Sequence, residues 1–174
     1  NISKYSFKRI IILCGYRHKI IFKKYHNKKI NFNKVICIRE RKLLGTAGAL
    51  KNLKKINVQD FVLMNGDTIF NLPLLVESLQ TNKIGTVALT KNLNQDSKKL
   101  NNLALKKNLV CIKNNSSLMN GGVYYFKKSI FEYIKNLSSL ENELLPKLID
   151  QKKINGKIFK SFFIDIGSKY YLRK

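Results

Sequence analysis

Two aspartates stand at the ends of apolar runs, and their placement gives the clearest chemical signal in the sequence. Asp67 follows the run Phe61–Gly66 (FVLMNG), and Asp165 follows Phe162–Ile164. A lone carboxylate at the end of a buried strand is costly unless it is paired or bound to a cation. Because the chain holds only 10 acidic residues, we expect the two carboxylates to converge on one Mg²⁺, which binds one or two carboxylates plus phosphate oxygens. Asn-Gly and Gly-Asp are also strong turn dipeptides, so two unrelated turns are the alternative.

A second candidate segment is Glu40–Leu50 (ERKLLGTAGAL), whose small residues let a ligand approach the backbone closely. Thr46 can cap the helix that follows, and the N-terminal amides of a helix favour anionic or polar groups. An ordinary helix start explains the same residues equally well. A Walker phosphate loop is excluded, because no Gly-Lys-Ser/Thr follows.

Two further segments offer polar groups near a predicted strand. In Leu118–Phe126 (LMNGGVYYF), a Gly-Gly pair exposes backbone where the strand begins, and Asn120 can hydrogen-bond to hydroxyl groups. The alternative for this segment is a β-bulge or a tight turn. Ser138 and Glu141 have the spacing of a capping box, so Glu141 either reaches a ligand or caps its own helix.

The elements that must position these residues alternate between strands and helices in the first half of the chain. Strands are predicted at Lys8–Gly15, Lys34–Glu40, Phe61–Asn65 and Gly85–Thr90, and helices at Arg17–Tyr25, Ala47–Lys54 and Pro73–Gln80. This alternation predicts an α/β sheet with parallel strands and crossover helices. In such a sheet, ligands bind beyond the carboxyl ends of the strands.

The second half of the chain is predicted to add a hairpin, further strands and two helices. The hairpin pairs Leu103–Leu105 with Leu109–Ile112, the strands are Gly122–Phe126, Ile158–Lys160 and Phe162–Ile166, and the helices are Ser129–Ile134 and Leu140–Lys152. No repeat or low-complexity linker interrupts the sequence, so we expect residues 1–174 to form a single domain.

The composition excludes several classes of protein. The net charge is +24 with 34 basic residues, but only five of these are Arg and the lysines are scattered, which disfavours a nucleic-acid-binding module. No apolar run approaches the roughly 18 residues of a membrane span. The well-separated Cys14, Cys37 and Cys111 lie among aliphatic residues, which indicates reduced thiols in a cytoplasmic protein and no disulfide framework.

Taken in order, these segments resemble the sugar-1-phosphate nucleotidyltransferases. The matching motifs are LLGTAGAL, FVLMNGDTIF, LMNGGVYYF, and SLENELLPKL followed by FFIDIG. The resemblance extends from about Lys8 to Tyr171. The FIDIG ending and the NGG-V-Y strand are similar to those of the D-glycero-D-manno-heptose 1-phosphate and mannose-1-phosphate guanylyltransferases.

The resemblance implies a fold, a reaction and a set of site residues. The fold is a Rossmann-like, mostly parallel mixed sheet with flanking helices. The reaction transfers a nucleoside monophosphate from a triphosphate such as GTP to a sugar 1-phosphate, with loss of pyrophosphate, for surface-polysaccharide or lipopolysaccharide precursors. The implied catalytic and Mg²⁺-binding residues are Asp67 and Asp165, the nucleotide-binding residues are Glu40, Leu44, Gly45, Thr46 and Gly66, and the sugar-binding residues are Asn120, Gly121 and Glu141.

The sequence also departs from the family pattern. The family begins with a strand and a glycine-rich GGxGTRL loop, followed by Pro-Lys-Pro, and none of these is present. Asn115 and Ser116 stand where a Glu-Lys pair faces the sugar phosphate. We therefore expect a domain that lacks its first βα unit, does not turn over as given, and aggregates through unpaired sheet edges. The alternative is a degenerate, non-catalytic member that binds a nucleotide sugar or a partner protein.

Overall fold

The computed structural model describes residues 7–70, 81–91, 103–114, 116–159 and 163–166, with the backbone alone for residues 70 and 163–165. Packing divides the chain into two compact units. The first comprises Asn1–Asn57 and Tyr133–Leu144, and the second comprises Val58–Glu132 and Leu145–Lys174. The assignment of residues 1–174 to a single domain stays a prediction.

The first unit contains strands β1 (Ile10–Cys14), β2 (Lys29–Ile30) and β3 (Asn33–Arg39), with helix α1 (His18–Tyr25) between β1 and β2. The strands form a three-stranded sheet with the order β1-β3-β2. β1 and β3 run parallel, as a crossover helix requires, whereas β2 and β3 form an antiparallel hairpin. Cys14, Val35 and Cys37 form the buried core of this sheet, and Ile21 and Phe22 of α1 pack on them.

Three helical segments complete the first unit. Helix α2 (Gly45–Gly48) continues into a 3₁₀ helix (Ala49–Ile56) that buries Leu50 and Leu53. A π-helix spans Leu140–Leu144 and packs against α2. Single π-helical turns are rare and occur frequently at functional sites.

The second unit is built on a six-stranded sheet. Its strands are β4 (Phe61–Met64), β6 (Gly85–Lys91), β7 (Leu103–Lys106), β8 (Leu109–Ile112), β9 (Leu118–Phe126) and β10 (Ile154–Ile158). Their order in the sheet is β4-β9-β6-β10-β8-β7, and β7 also pairs with β9. A separate antiparallel pair consists of β5 (Thr68–Phe70) and β11 (Phe163–Asp165). The described helices of this unit are a 3₁₀ helix (Lys128–Glu132) and α3 (Leu145–Asp150).

Strands β6 and β9 form the centre of the six-stranded sheet. Residues 85–90 of β6 are all buried, so both faces of the strand are covered. A strand buried on both faces carries a near-continuous run of apolar or small side chains, which is the sequence that β6 has. β6 runs parallel to β10 and antiparallel to β9. Tyr124 and Phe126 of β9 stack in the core with 5.6 Å between their ring centroids.

The mixed sheet confirms the predicted α/β fold class. The described parallel pairings are β1 with β3 and β6 with β10, and β9 adds antiparallel neighbours on both of its sides. The predicted hairpin is confirmed by the antiparallel pairing of β7 with β8. Within the described residues, no helix combines the length and the apolar character that a membrane crossing requires.

Several predicted element boundaries are wrong. The strand expected at Ile158–Lys160 occupies Ile154–Ile158, where its backbone pairs with β6. The helix expected at Leu140–Lys152 is divided between the π-helix and α3. The strand expected to begin at Gly122 begins at Leu118, because pairing with β6 continues beyond the glycines. The predicted helix Pro73–Gln80 lies outside the described residues.

The burial of the cysteines predicts that they differ in reactivity. Burial first, and then the neighbouring Cys37 thiol, raise the pKa of Cys14 to about 11, and burial also raises the pKa of Cys37. The thiolate is the reactive form, and roughly one Cys14 thiol in a thousand is ionised at pH 8. We expect the thiol reagent DTNB to modify the less buried Cys111 at least ~10-fold faster than the other two thiols in the native protein.

The measurement is a stopped-flow time course at pH 8 in native buffer and in guanidinium chloride. Cys111→Ser serves as the control, because it should remove the fast phase and leave the slow phases unchanged. Equal rates for all three thiols in the native protein would contradict the burial of the pair in the first unit.

Candidate active site

The first candidate cluster lies in the second unit, where the chain turns after β4. The turn runs through Asn65, Gly66 and Asp67 into β5, and the Thr68 N–H donates to the Asn65 carbonyl at 3.3 Å. Gly66 and Asp67 are exposed on this turn. Asp67 thus follows an apolar strand and is accessible to solvent.

Strand β11 brings the second aspartate to the same turn. β5 and β11 pair with Asp165 opposite Thr68, and the Ile166 N–H donates to the Asp67 carbonyl at 2.8 Å. Residues that face each other on antiparallel strands have Cα atoms about 4.5–5.5 Å apart. Strand pairing therefore brings the backbone of Asp165 beside the turn that carries Asp67.

Two aspartates at this place fit the donor set of Mg²⁺. This cation prefers oxygen ligands and needs only one or two protein carboxylates, because water and substrate phosphates occupy its other positions. The exposed Asp67 carboxylate is accessible to a ligand that arrives from solvent. A Mg²⁺ ion shared by Asp67 and Asp165 stays a prediction, and the pairing of β5 with β11 is its structural support.

A β-bulge in β9 lies beside this turn. The register between β6 and β9 shifts between Val87 and Leu89, where β9 passes through Gly121 and Gly122. Gly122 has a φ of 66°, which a residue without a Cβ adopts at little cost. Its carbonyl accepts a hydrogen bond from the Asn65 N–H at 2.9 Å, so the bulge contacts the turn that carries Asp67.

The side chain of Asn120 holds this bulge in place. Asn120 is only 4% exposed. Its Oδ1 accepts a hydrogen bond from the Gly122 N–H at 3.0 Å, and its Nδ2 donates to the Tyr124 hydroxyl at 2.5 Å. The bulge, given as the alternative for the NGG segment, is therefore present, and the amide keeps one N–H for a further partner. Sugar contacts by Asn120 and Gly121 stay predictions.

The second candidate cluster lies in the first unit, where the chain enters α2. The Ser138 carbonyl accepts hydrogen bonds from the N–H groups of Ala47 and Gly48 at 3.1 and 3.2 Å, and the Ser138 N–H donates to the Leu44 carbonyl at 2.9 Å. Gly45 has a φ of 75°, and a Cβ on Gly45 or Gly48 would clash with the backbone of residues 136–138. The small residues of this loop therefore make room for the protein's own backbone.

Thr46 connects this loop to Glu141. The Thr46 hydroxyl donates to Glu141 Oε2 at 3.0 Å and accepts a hydrogen bond from the Leu140 N–H at 2.8 Å. The expectation that Thr46 caps the helix after it is wrong, because Leu44 is the N-cap of α2 and makes no side-chain hydrogen bond there. The hydroxyl instead makes hydrogen bonds with Leu140 and Glu141 of the π-helix.

The capping box proposed for Ser138 and Glu141 does not form. Its place is taken by the next serine, since the Asn142 N–H donates to Ser139 Oγ at 3.1 Å and the Ser139 N–H donates to Glu143 Oε1 at 3.0 Å. This reciprocal arrangement satisfies backbone donors at the start of the π-helix. The Glu141 carboxylate is therefore not needed as a cap, and it contacts Thr46.

Each candidate residue can now be assigned to one of the two units. Glu40 follows β3, is half-buried, and its N–H donates to the Cys14 carbonyl at 2.9 Å. The first unit holds Glu40, Leu44, Gly45, Thr46 and Glu141, and the second holds Gly66, Asp67, Asn120, Gly121 and Asp165. Their roles toward nucleotide and sugar stay predictions.

The contacts made by three residues that build these clusters were not predicted from the sequence. Ser138, expected to cap with its side chain, instead contributes backbone groups, which no side-chain pattern marks. Thr68 is buried against the bulge, where its Oγ1 would lie 2.6 Å from a Cβ on Gly122. Asn65 did carry a signal, because it forms the same Asn-Gly dipeptide as Asn120, and that dipeptide marks a turn.

Known proteins share this architecture. No family model matches the chain. The crystal structure of HddC from Yersinia pseudotuberculosis has a TM-score of 0.79 and 26% sequence identity, and the match covers 99% of this chain and 79% of that one. Its complex with GMP-PN has a TM-score of 0.74 and 27% identity, with coverage of 95% and 76%. The chain therefore shares the α/β fold of this protein.

Sequence similarity then gives the family. The chain is 30% identical over 180 residues to the D-glycero-alpha-D-manno-heptose 1-phosphate guanylyltransferase of Aneurinibacillus thermoaerophilus, and the alignment covers 95% of this chain and 76% of that protein. The chain belongs to the sugar-1-phosphate nucleotidyltransferase family.

The bulge geometry predicts a specific loss of stability in Gly122→Ala. The new Cβ would meet Thr68 Oγ1 at 2.6 Å, and the positive φ would strain any L residue. We expect the free energy of unfolding to fall by about 1–3 kcal/mol, measured by urea denaturation. Gly66→Ala is the matched control, because a Cβ there meets nothing within 4 Å, and it should change stability by less than about 0.5 kcal/mol. Equal losses in the two variants would contradict the packing of Gly122 on Thr68.

Proposed function

We propose that the protein transfers a guanylyl group from GTP to a sugar 1-phosphate and so forms a nucleotide sugar in the cytoplasm. An oxygen of the sugar phosphate attacks the α-phosphorus, the bond to the bridging oxygen of the β-phosphate breaks, and pyrophosphate leaves with that electron pair. The observation that carries the proposal is the pairing of β5 with β11, which brings Asp67 and Asp165 to one turn. The product would feed the synthesis of surface polysaccharide or lipopolysaccharide.

The names of the relatives support the choice of guanine and of a heptose. The Aneurinibacillus thermoaerophilus protein is a D-glycero-alpha-D-manno-heptose 1-phosphate guanylyltransferase, and the Yersinia pseudotuberculosis protein was crystallised with GMP-PN. We therefore propose GTP and D-glycero-α-D-manno-heptose 1-phosphate as the substrates.

Asp67 and Asp165 would hold Mg²⁺ beside the triphosphate. When bound, Mg²⁺ would neutralise phosphate charge and orient the attacking and leaving oxygens in line. The Asn120–Gly122 bulge fixes the position of this turn, because the Gly122 carbonyl accepts the Asn65 N–H. Reactions of this kind depend on positioning and electrostatic stabilisation more than on an acid–base pair.

Residues of the first unit match family positions that contact the nucleotide and the sugar. The backbone of Leu44 and Gly45 and the carboxylate of Glu40 would face the nucleotide, as the family resemblance implies. Glu141 would accept hydrogen bonds from sugar hydroxyls, since an ionised carboxylate is an acceptor on both oxygens. The net charge of +24 would attract both anionic substrates.

The test measures binding and turnover side by side. Calorimetric titrations with GTP, UTP, CTP and dTTP in Mg²⁺ give the base preference, and pyrophosphate release with heptose 1-phosphate and mannose 1-phosphate gives the activity. Tightest binding of GTP supports the proposal, and no binding of any nucleotide would contradict it. Release of pyrophosphate would show that residues 1–174 turn over without the glycine-rich unit, against the expectation from the sequence, and would rule out the non-catalytic alternative.

Replacing either predicted metal ligand should weaken the Mg²⁺-dependent part of GTP binding. Asp67→Asn and Asp165→Asn keep the size of the side chain and remove its charge, so we expect GTP affinity in Mg²⁺ to fall by about 10- to 100-fold. Affinity in EDTA should change little, because no cation then bridges protein and phosphate. The matched control is Asp150→Asn, an exposed residue at the end of α3. A loss of the same size in that control would contradict the metal assignment.

A further inference from the structure

We infer that the Thr46 hydroxyl is a positioning group that couples nucleotide binding to sugar 1-phosphate binding by orienting Glu141. This inference rests on the proposed function, which places the backbone of Leu44 and Gly45 at the nucleotide and Glu141 at the sugar. It differs from the role that the family resemblance implies for Thr46, which is contact with the nucleotide.

Both hydrogen-bonding functions of the hydroxyl are engaged by the π-helix. A threonine hydroxyl has a single proton, and Thr46 donates it to Glu141 Oε2 at 3.0 Å. One of its lone pairs accepts the Leu140 N–H at 2.8 Å. The side chain therefore has no second proton to donate to a nucleotide while these bonds are made.

The π-helix depends on this external contact. The N–H groups of Glu143 and Leu144 both donate to the Ser139 carbonyl, at 3.3 and 3.1 Å, and the Asn142 N–H is capped by Ser139 Oγ. Leu140 lies ahead of these bonds, and its N–H is satisfied by Thr46, which comes from a segment 94 residues away. Thr46 thus fixes both the start of the π-helix and the carboxylate one residue later.

Backbone hydrogen bonds and close packing also join the loop to Ser138, two residues ahead of the π-helix. The Ser138 backbone makes hydrogen bonds with Leu44, Ala47 and Gly48, and the two loop glycines leave no gap between the segments. A nucleotide that orders the loop would therefore order Glu141 as well. Because coupling between two sites is reciprocal, the sugar phosphate must strengthen nucleotide binding by the same factor.

The experiment compares Thr46→Val, Thr46→Ser and Thr81→Val with the wild type. Valine keeps the shape of threonine and removes both bonds, whereas serine keeps the hydroxyl. Thr81 is the matched control in the second unit, because its Oγ1 also joins two segments, accepting from the Lys83 N–H at 3.0 Å and from Asn155 Nδ2 at 2.7 Å. For each protein, the affinity for heptose 1-phosphate is measured with and without a non-hydrolysable GTP analogue and Mg²⁺.

We expect the analogue to tighten sugar 1-phosphate binding at least ~5-fold in the wild type. Thr46→Val should lose this enhancement while its affinity for the analogue alone changes less than about 3-fold. Thr46→Ser should restore the enhancement, and Thr81→Val should retain it. Full enhancement in Thr46→Val would overturn the inference, as would an equal loss of affinity for both ligands, which would mean that Thr46 contacts the nucleotide directly.

Hydrogen exchange at the Leu140 amide separates this inference from the proposed function. Thr46→Val should speed that exchange at least ~10-fold, with or without ligands, and Thr46→Ser should not. Unchanged exchange in Thr46→Val would overturn the positioning role alone. A wild type that binds neither the GTP analogue nor the sugar phosphate would overturn the proposed function, and the coupling with it.

Discussion

The second unit depends on the hydrogen bonding of β9, because this strand pairs with β4, β6 and β7 and is buried along most of its length. A buried strand must satisfy every backbone donor and acceptor. At Gly121 and Gly122 the ladder to β6 shifts, and regular pairing is lost. The Asn120 side chain binds the Gly122 N–H, and the Asn65 N–H binds the Gly122 carbonyl. The candidate catalytic turn is therefore held by groups that also keep the central strand satisfied.

In the first unit, backbone donors and acceptors are likewise satisfied by contacts between two segments that are distant in sequence. Ser138 supplies a carbonyl for the amides of Ala47 and Gly48 and an N–H for the Leu44 carbonyl. These bonds require the two backbones to approach closely, and only glycine fits at positions 45 and 48. Glycine costs conformational entropy on folding, which the shared hydrogen bonds offset in part. The loop that resembles a nucleotide-binding motif is thus also a packing motif.

The sequence was most informative about the order of strands and helices, because the strand–helix alternation predicted the parallel pair in the first unit. The apolar runs that end in aspartate drew attention to Asp67 and Asp165, which the pairing of β5 with β11 brings near each other along the sheet, but their role stays a prediction. Prediction from the sequence failed where a residue's hydrogen-bond partner is distant in the chain, or where a strand is very short. Nothing near Thr46 indicates that Leu140 and Glu141 lie beside it, and the two-residue β2 and three-residue β5 are too short for a periodic pattern. The polar Asn155 and Gly156 also concealed the start of β10.

The hydrogen-bond pattern decides which groups remain for ligands. The Thr46 proton is engaged by Glu141, and most of the Asn120 amide is engaged by the bulge. The carboxylates are different, because each has two oxygens with several lone pairs, and the single hydrogen bond from Thr46 to Glu141 uses one of them. In a chain with 34 basic and 10 acidic residues, the basic side chains are sufficient to offset the charge of a bound phosphate, and acidic side chains are not needed for that purpose. This acceptor capacity is the chemical basis of the two proposed roles, a metal cation at Asp67 and sugar hydroxyls at Glu141.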